Sequence, residues 1–415
     1  MKRYKLGEIA NIQISSVDKK SNDGEIPVKL CNFVEVYYNY AITKEMTQNF
    51  MNATAKQSEI DNFRLQKGQI ALTKDSETKD DIGISTYIAD DFENVILGYH
   101  TALVTPNQEI LNGKYLNAFM HTKFIQKYFE NNATGSGQRF SLSTQTLHNV
   151  PILAPDLATQ KKIGKLFSDI DKKIAVNNTI NATLENLAKA IYEYYFVQFD
   201  FPDINGRPYK SSGGAMTFNQ TLNRQIPKHF EVLFLKDRLV FERGEEYGTS
   251  AYIEGKQNKD CIKFYRVGDM DNSGNTYINQ TLYNECPKVS INDLLVSFDG
   301  SVGRISYALN GTFSSGIRKI YDKENVLNSA TLYFIFSDNF IQSTIKKYAV
   351  GTNILHAGSA IEYLAIPYNE QIYVTFQNYV TPIFEKMKQN KLENENLKSL
   401  RDFLLPLLLN AQVQI

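Results

Sequence analysis

Two stretches 213 residues apart read KKIAVNNTINATLENL (Lys172–Leu187) and EKMKQNKLENENLKSL (Glu385–Leu400). Around the first, Ile163, Phe167, Ile170, Ile174, Asn177, Asn181, Leu184, Ala188 and Ile191 follow the alternating four-and-three spacing of a heptad seam. Adding 213 to each number gives Phe376, Val380, Ile383, Met387, Asn390, Asn394, Leu397, Arg401 and Leu404. The spacing recurs and so do its two asparagines. A period near half the chain length of 415 residues divides the molecule into two halves, each a larger domain followed by a long helix.

The helices are expected to run from about Leu157 to Phe196 and from about Glu370 to Asn410, each roughly 60 Å long at the α-helical rise. A helix with so narrow an apolar stripe needs a partner, and the nearest is its own repeat. The asparagines sit mid-seam, so only an antiparallel or an in-register parallel match brings them together. A slipped register would set each amide against Ile or Leu. The expectation is an antiparallel coiled coil with Asn177, Asn181, Asn390 and Asn394 setting the register. The alternative is a splayed point at which these positions are wet. Pro382 lies inside the second helix with Asp169 as its counterpart, and a kink is expected there.

Before each helix the pattern changes. RLQKGQIALTKDS (Arg64–Ser76) is a turn leading into an apolar strand, and VSINDLLVSFDGSVGRI (Val289–Ile305) repeats that design. KYFENNATGSGQRFSLSTQTLHNVPILAP (Lys127–Pro155) and IKKYAVGTNILHAGSAIEYLAIP (Ile345–Pro367) each run helix end, glycine loop, short helix, strand, proline, long helix. The fold class expected is α+β: two mixed domains with short strands, the second a diverged copy of the first, related by a pseudo-twofold. Net charge is zero, with 45 basic and 45 acidic residues, which excludes a globally basic nucleic-acid glove but not a local basic face. Cys31, Cys261 and Cys286 form no C-x-x-C pair and the five histidines are scattered, arguing against a disulfide framework or a sequence-local metal site. No apolar run is long enough to span a membrane and no signal peptide is apparent, so a cytoplasmic location is expected.

The junction FVQFDFPDINGRPYKSSGGAMTFNQTLNRQIPKHFEV (Phe196–Val232) is an aromatic-anchored passage with Gly-Arg-Pro and Ser-Ser-Gly-Gly turns. It resembles the signature of specificity subunits of type I restriction–modification systems at Phe199, Pro202, Gly206, Pro208, Tyr209, Lys210, Ser212, Gly213, Gly214, Met216, Ile226, Pro227, Glu231 and Val232. Phe230 stands where that family usually has tryptophan. YKLGEIANI (Tyr4–Ile12) and PDLATQKKIGKLFSDIDKKI (Pro155–Ile174) are similar to the family as well. Its Glu-Gln dipeptide is present as Glu370-Gln371 but is Thr159-Gln160 in the first copy.

The resemblance implies a DNA-binding subunit without catalysis. Two target-recognition domains (1–156 and 229–367) would each read half of a bipartite site on double-stranded DNA. Conserved spacer helices (157–198 and 368–415), with a linker at 199–228, would dock two adenine methyltransferase (modification) subunits and, through them, restriction motor-nuclease subunits. No cofactor is expected on this chain: S-adenosylmethionine and ATP would belong to partner subunits, consistent with the lack of a Walker phosphate loop or of an amino-methyltransferase motif. No membrane partner is expected.

Candidate DNA contacts follow from loop chemistry. In the first half they are Lys74, Ser76, Thr78 and Lys79 in TKDSETKD, and Ser136, Gln138, Arg139, Ser141 and Thr144 in TGSGQRFSLST. Gln suits adenine, Arg suits guanine, and lysines and hydroxyls suit phosphates. In the second half they are Tyr265, Arg266, Ser301, Arg304, Arg318 and Lys319, with Thr352 and Asn353 as positional counterparts of the first glycine loop. For each, the bland reading is a solvated loop or a capped turn. Asp299 reads as a turn former, and Tyr192, Tyr194, Tyr195 and Phe196 as packing rather than base stacking. The rival readings are a bivalent protein-binding scaffold and the remnant of a self-sufficient restriction–methylation enzyme.

Overall fold

The computed structural model describes residues 1–137, 139–255, 259–272, 274–279, 281 and 285–409. The chain divides into two compact units, Met1–Ala175 together with the segment from Asn394 onward, and Val176–Glu393. One long helix, Leu157–Tyr192, ends in a π-helical turn over Glu193–Val197, and the other, Glu370–Leu409, runs through Pro382 without a break in its span. Each helix gives one stretch to each unit.

The first unit is built on a five-stranded sheet in the order Ala10–Ile14, Thr101–Pro106, Ile70–Thr73, Ser85–Ile88, Ala41–Ile42. Every residue of Ile70–Thr73 and of Ser85–Ile88 is buried, so both strands are covered on both faces, including the polar Thr73, Ser85 and Thr86. A three-stranded sheet pairs Ile26–Cys31 antiparallel with Met51–Ala55 and parallel with Val95–Leu97. Lys2–Lys5 pairs with Pro151–Ala154 just ahead of the first long helix. Two consecutive helices, Gly113–Met120 and Lys123–Asn132, start at Asn112 and Thr122, whose side chains accept from the Tyr115 and Ile125 amides. Ile163, Phe167 and Ile170 of one long helix share this unit's core with Leu405, Leu408 and Leu409 of the other.

The second unit repeats the plan. Leu239–Arg243, Ile317–Asp322, Leu294–Ser297 and Ile305–Ser306 form its central sheet in that order. Cys261–Tyr265 pairs antiparallel with Thr276–Asn279 and parallel with Gly311–Phe313. Glu231–Phe234 pairs with Ala365–Tyr368 ahead of the second long helix. The helices Ser329–Ser337 and Asn339–Lys347 are capped by Asn328 and Asp338. Four strands of the central sheet and three of the second sheet thus share their order and their parallel–antiparallel pattern in both units. The first unit adds the parallel edge strand Ala41–Ile42, and the second adds Ile253–Glu254 and Lys288–Val289. In each, a glutamine of a long helix accepts from the backbone amide of the cap asparagine: Gln160 from Asn112 (2.9 Å) and Gln377 from Asn328 (2.9 Å).

The passage Phe199–Pro227 is folded within the second unit. Phe199, Phe201, Ile226 and Phe230 are buried in its main core. The Arg224 guanidinium lies 4.7 Å from the centre of the Phe199 ring. The aromatic end of the first long helix packs as its composition suggests: Tyr192, Tyr195 and Phe196 are buried, and Phe196 stacks on Tyr373 with centroids 4.1 Å apart.

Within this unit Asn177 Nδ2 donates to Glu393 Oε2 (2.8 Å), Asn390 Nδ2 to Asn181 Oδ1 (2.8 Å), and Asn181 Nδ2 to the Met387 carbonyl (3.0 Å). Residue numbers rise along one helix as they fall along the other, so the two stretches run antiparallel here. Asn177 and Asn390 are each only 1% exposed, which removes the reading of a wet, splayed seam. Replacing Asn390 by Leu deletes the donor to Asn181 and strands a half-buried amide. We expect a loss of about 1–3 kcal/mol in denaturant unfolding, part of it recovered when Asn181 is also replaced by Leu.

Candidate nucleic-acid interface

Two sequence-distant candidate loops of the first unit meet in one small sheet. The hairpin Thr134–Ser136/Arg139–Ser141 adds its second strand to Asp75–Ser76, with Phe140 opposite Ser76 and Ser141 opposite Asp75. Gly135, at φ 140°, has the Arg139 carbonyl where a Cβ would stand, so only glycine permits this hairpin. Lys74 Nζ donates to Ser141 Oγ (2.9 Å) and to Asp75 Oδ1 (3.2 Å). Lys74, Ser76 and Ser141 are half-buried, whereas Thr78, Lys79, Ser136, Arg139 and Thr144 are exposed. Lys79 Nζ lies 5.3 Å from the Phe140 ring centre. Gln138 lies outside the described residues.

A cleft of about 570 Å³ opens beside this hairpin, lined among others by Ser76, Thr78, His100 and Arg139. Its other wall is the short helix Phe33–Tyr38. There Phe33 and Tyr37 stack at 5.7 Å, Tyr38 is 77% exposed, and Tyr37 Oη donates to Asp81 Oδ2 (2.8 Å). Burial and the Asp81 carboxylate push the Tyr37 phenol up to about 12. No pattern in the sequence marks this aromatic wall. FVEVYY reads as any amphipathic turn, and its relation to the loops exists only in three dimensions. Asp75 stands at the floor. Burial raises its pKa, but hydrogen bonds from Ser141 and His100 and the Lys74 charge outweigh that, and the net shift is downward.

In the second unit the candidates gather around Asp299. Its backbone amide donates to the Gly316 carbonyl (3.1 Å), the Gly300 amide to the Leu355 carbonyl (2.8 Å), and its carboxylate meets His356 Nδ1 at 2.8 Å. The loops carrying Ser301 and Thr352–Asn353 and the start of the strand Ile317–Asp322, which carries Arg318, are therefore neighbours. Arg266, Ser301, Thr352 and Asn353 are exposed. Arg266 lies over the Tyr252 ring at 4.7 Å. Arg304 donates from Nη1 to the Val267 carbonyl (2.9 Å), tying this loop to the segment that carries Arg266. Arg318 donates to the Ser315 carbonyl, and burial and the nearby Arg243 lower its pKa.

Two sequence-based choices are corrected. Tyr265 is 2% exposed, packed with Met270, Leu295 and Phe313, so its ring is core and cannot meet a ligand. Lys319 alternates off the loop into the strand Ile317–Asp322, where its ammonium is bound by Glu242 (2.7 Å) and the Lys288 carbonyl (2.9 Å). Among the described residues no group of three His, Cys, Asp or Glu is placed to hold a metal, and no helix is long and apolar enough to cross a membrane.

Against known proteins, residues 1–186 and 227–394 match the family described as type I restriction modification DNA specificity domain. The chain belongs to that family and is of the specificity-subunit class. It is 24% identical over 409 residues to the type I restriction enzyme HindI specificity subunit of Haemophilus influenzae, covering 84% of this chain and 87% of that one. It is 26% identical over 315 residues to the MjaIX specificity subunit of Methanocaldococcus jannaschii, covering 73% and 69%. The crystal structure of a type I system S subunit from M. genitalium superposes with a TM-score of 0.56 at 15% identity, covering 98% of this chain and 95% of that one. That likeness establishes the fold.

The direction of the Asp75 shift fixes a pH dependence. A carboxylate whose folded pKa is depressed stabilises the protein above its unfolded value and loses that contribution as pH falls through the folded one. Asp75→Asn is therefore expected to cost about 1 kcal/mol at neutral pH, a charge-assisted bond partly screened by solvent. In urea titrations at stepped pH, the gap to the unsubstituted protein should close only below the ordinary carboxylate range.

Proposed function

We propose that this chain is the DNA-reading subunit of a type I restriction–modification complex, each unit's recognition domain reading one half of a bipartite duplex site. The observation that carries this is the duplicated topology: two domains share strand order and pairing but differ in the loops at corresponding strand ends. A conserved frame with divergent loops suits two readers of different sequences. We assign the recognition domains to 1–156 and 229–367, the joining passage to 199–228, and the spacer helices to 157–198 and 368–415. The helices are taken to pair antiparallel along their whole length as a coiled coil. Asn177, Asn181, Asn390 and Asn394 fix its register, and the rod sets a separation suited to half-sites about a helical turn (~34 Å) apart.

Two adenine methyltransferase subunits would dock on the helices, and motor-nuclease subunits through them, in the cytoplasm. Methyl transfer and ATP hydrolysis, with S-adenosylmethionine and ATP, belong to those partners, and this chain contributes no catalytic group. Direct readout would come from Arg139, Thr78 and Gln138 in the first domain and from Arg266, Ser301, Arg304, Arg318, Thr352 and Asn353 in the second. Lys74, Ser76, Lys79, Ser136, Ser141 and Thr144 would hold the loops and the phosphates. A neutral chain binding a polyanion is intelligible if the partner subunits supply part of the phosphate-binding surface.

Co-expression with the cognate methyltransferase should yield adenine methylation at one bipartite sequence, mapped across a host genome. Absence of selective methylation would sink the assignment. Gel shifts at two salt concentrations should show the steep salt dependence of phosphate contacts, which a protein-binding scaffold would lack. Arg139→Ala should weaken cognate binding by about 1–3 kcal/mol and relax selectivity in one half-site only.

A further inference from the structure

One side-chain pair occurs in both units without being repeated in the sequence. In the first, Asp75 Oδ2 holds His100 Nδ1; in the second, Asp299 Oδ1 holds His356 Nδ1 at 2.8 Å. The aspartates are equivalent, each two residues beyond the buried strands Ile70–Thr73 and Leu294–Ser297. The histidines are not. His100 immediately precedes the strand Thr101–Pro106, whose counterpart is preceded by Gly316. His356 bridges directly to Asp299, the place that Ser141 takes opposite Asp75. An imidazole thus reaches the same carboxylate from two different elements. Inheritance from one ancestral half does not produce that arrangement, whereas a shared chemical demand does.

The geometry also orients each ring. With Nδ1 turned to the carboxylate, Nε2 is the nitrogen left to face outward, and the side chains of His100 and His356 are 34% and 60% exposed. His100 lines the cleft together with Thr78, Arg139 and Tyr37. Among the described residues neither Nε2 has a hydrogen-bond partner. His100 holds this position at φ 66°, in the left-handed region that few side chains tolerate.

We propose that His100 and His356 are DNA-contact residues, one in each recognition domain, each donating from Nε2 to an acceptor on duplex DNA, with Asp75 and Asp299 as positioning residues. The acceptor is guanine N7 or O6, or a phosphate oxygen, and donation from both ring nitrogens at once is the bonding pattern of the imidazolium form. This assignment rests on the DNA-reading function proposed above.

The test uses the full chain with its methyltransferase partner and a duplex carrying the methylation-mapped site. His100→Asn and His356→Asn are the informative variants. The asparagine Nδ2 stands where Nδ1 was and keeps the bond to aspartate, asparagine tolerates the left-handed backbone at position 100, and only Nε2 is lost. Each variant is expected to keep its melting temperature and lose about tenfold in cognate affinity. If the partner is a phosphate, the salt slope falls by about one with selectivity unchanged; if it is a base, selectivity relaxes at one position of the matching half-site. Asparagine variants that bind like the unsubstituted complex, while His100→Ala lowers the melting temperature, would mean a purely structural clamp and overturn the proposal. An unsubstituted complex without selective binding would instead remove the DNA-reading function, and this assignment with it.

Discussion

The amide contact from buried Asn390 to half-buried Asn181 joins the two long helices within the second unit, and on the proposed reading it is the constraint on which their register depends. Each long helix carries an apolar stripe too narrow to be stable alone, and heptad seams of Ile, Leu and Phe slide past one another at little cost. Asn390 is 1% exposed and donates to Asn181, which in turn donates to the Met387 carbonyl. A shift by one heptad would set Asn181 against Ile383 or Leu397 and Asn390 against Ile174 or Ala188, leaving amide donors without acceptors, at about 1–3 kcal/mol each. On the proposed reading, the polar interruption lowers the maximum stability of the seam and raises the gap to its alternatives. The Asn177–Glu393 contact adds a charged acceptor one turn away.

From that fixed seam each unit builds outward in the same order. The two-stranded pairings at Lys2–Lys5/Pro151–Ala154 and Glu231–Phe234/Ala365–Tyr368 bring the two ends of each domain together just before a long helix begins. The loops at the far ends of the buried strands then vary without cost to the frame, because Ile70–Thr73 and Leu294–Ser297 are wholly buried whatever follows them. Stability lies in the strands and helix stripes, and chemistry in the loops.

The frame was legible in the sequence because it rests on periodicity. The heptad spacing around Asn177 and Asn390, the apolar runs IALT and LLVS, and the proline before each long helix are local signals that survive without an alignment. The matched pairing order of the two sheets was not legible, since strand order is set by contacts between residues far apart. The candidate loops were found by composition, and the sheet joining Ser141 to Asp75 shows two of them to be a single site. The failures have one cause. Tyr265 and Lys319 were chosen as residue types, and their strand phase, which turns Tyr265 inward against Phe313 and sets Lys319 beside Glu242, depends on a register that the sequence does not display. The two Asp–His pairs, 25 and 57 residues apart, and the aromatic wall of Phe33, Tyr37 and Tyr38 opposite Ser76 and Arg139 were missed because each joins positions distant in the sequence.

The charge arrangement at these loops bears on how a neutral chain could discriminate sequences. Asp75 is balanced on the spot by Lys74, and Asp299 lies close enough to Arg318 to interact with its charge, so neither cluster presents a bare field of one sign. A strongly basic surface would bind every duplex through its phosphates and gain little selectivity. Groups already paired within the protein offer their remaining donors only to acceptors placed in register, so a mismatched base leaves a desolvated donor unpaired. On the proposed reading, the acidic residues among the recognition loops therefore lower affinity for DNA in general and leave the difference between right and wrong sequences largely intact.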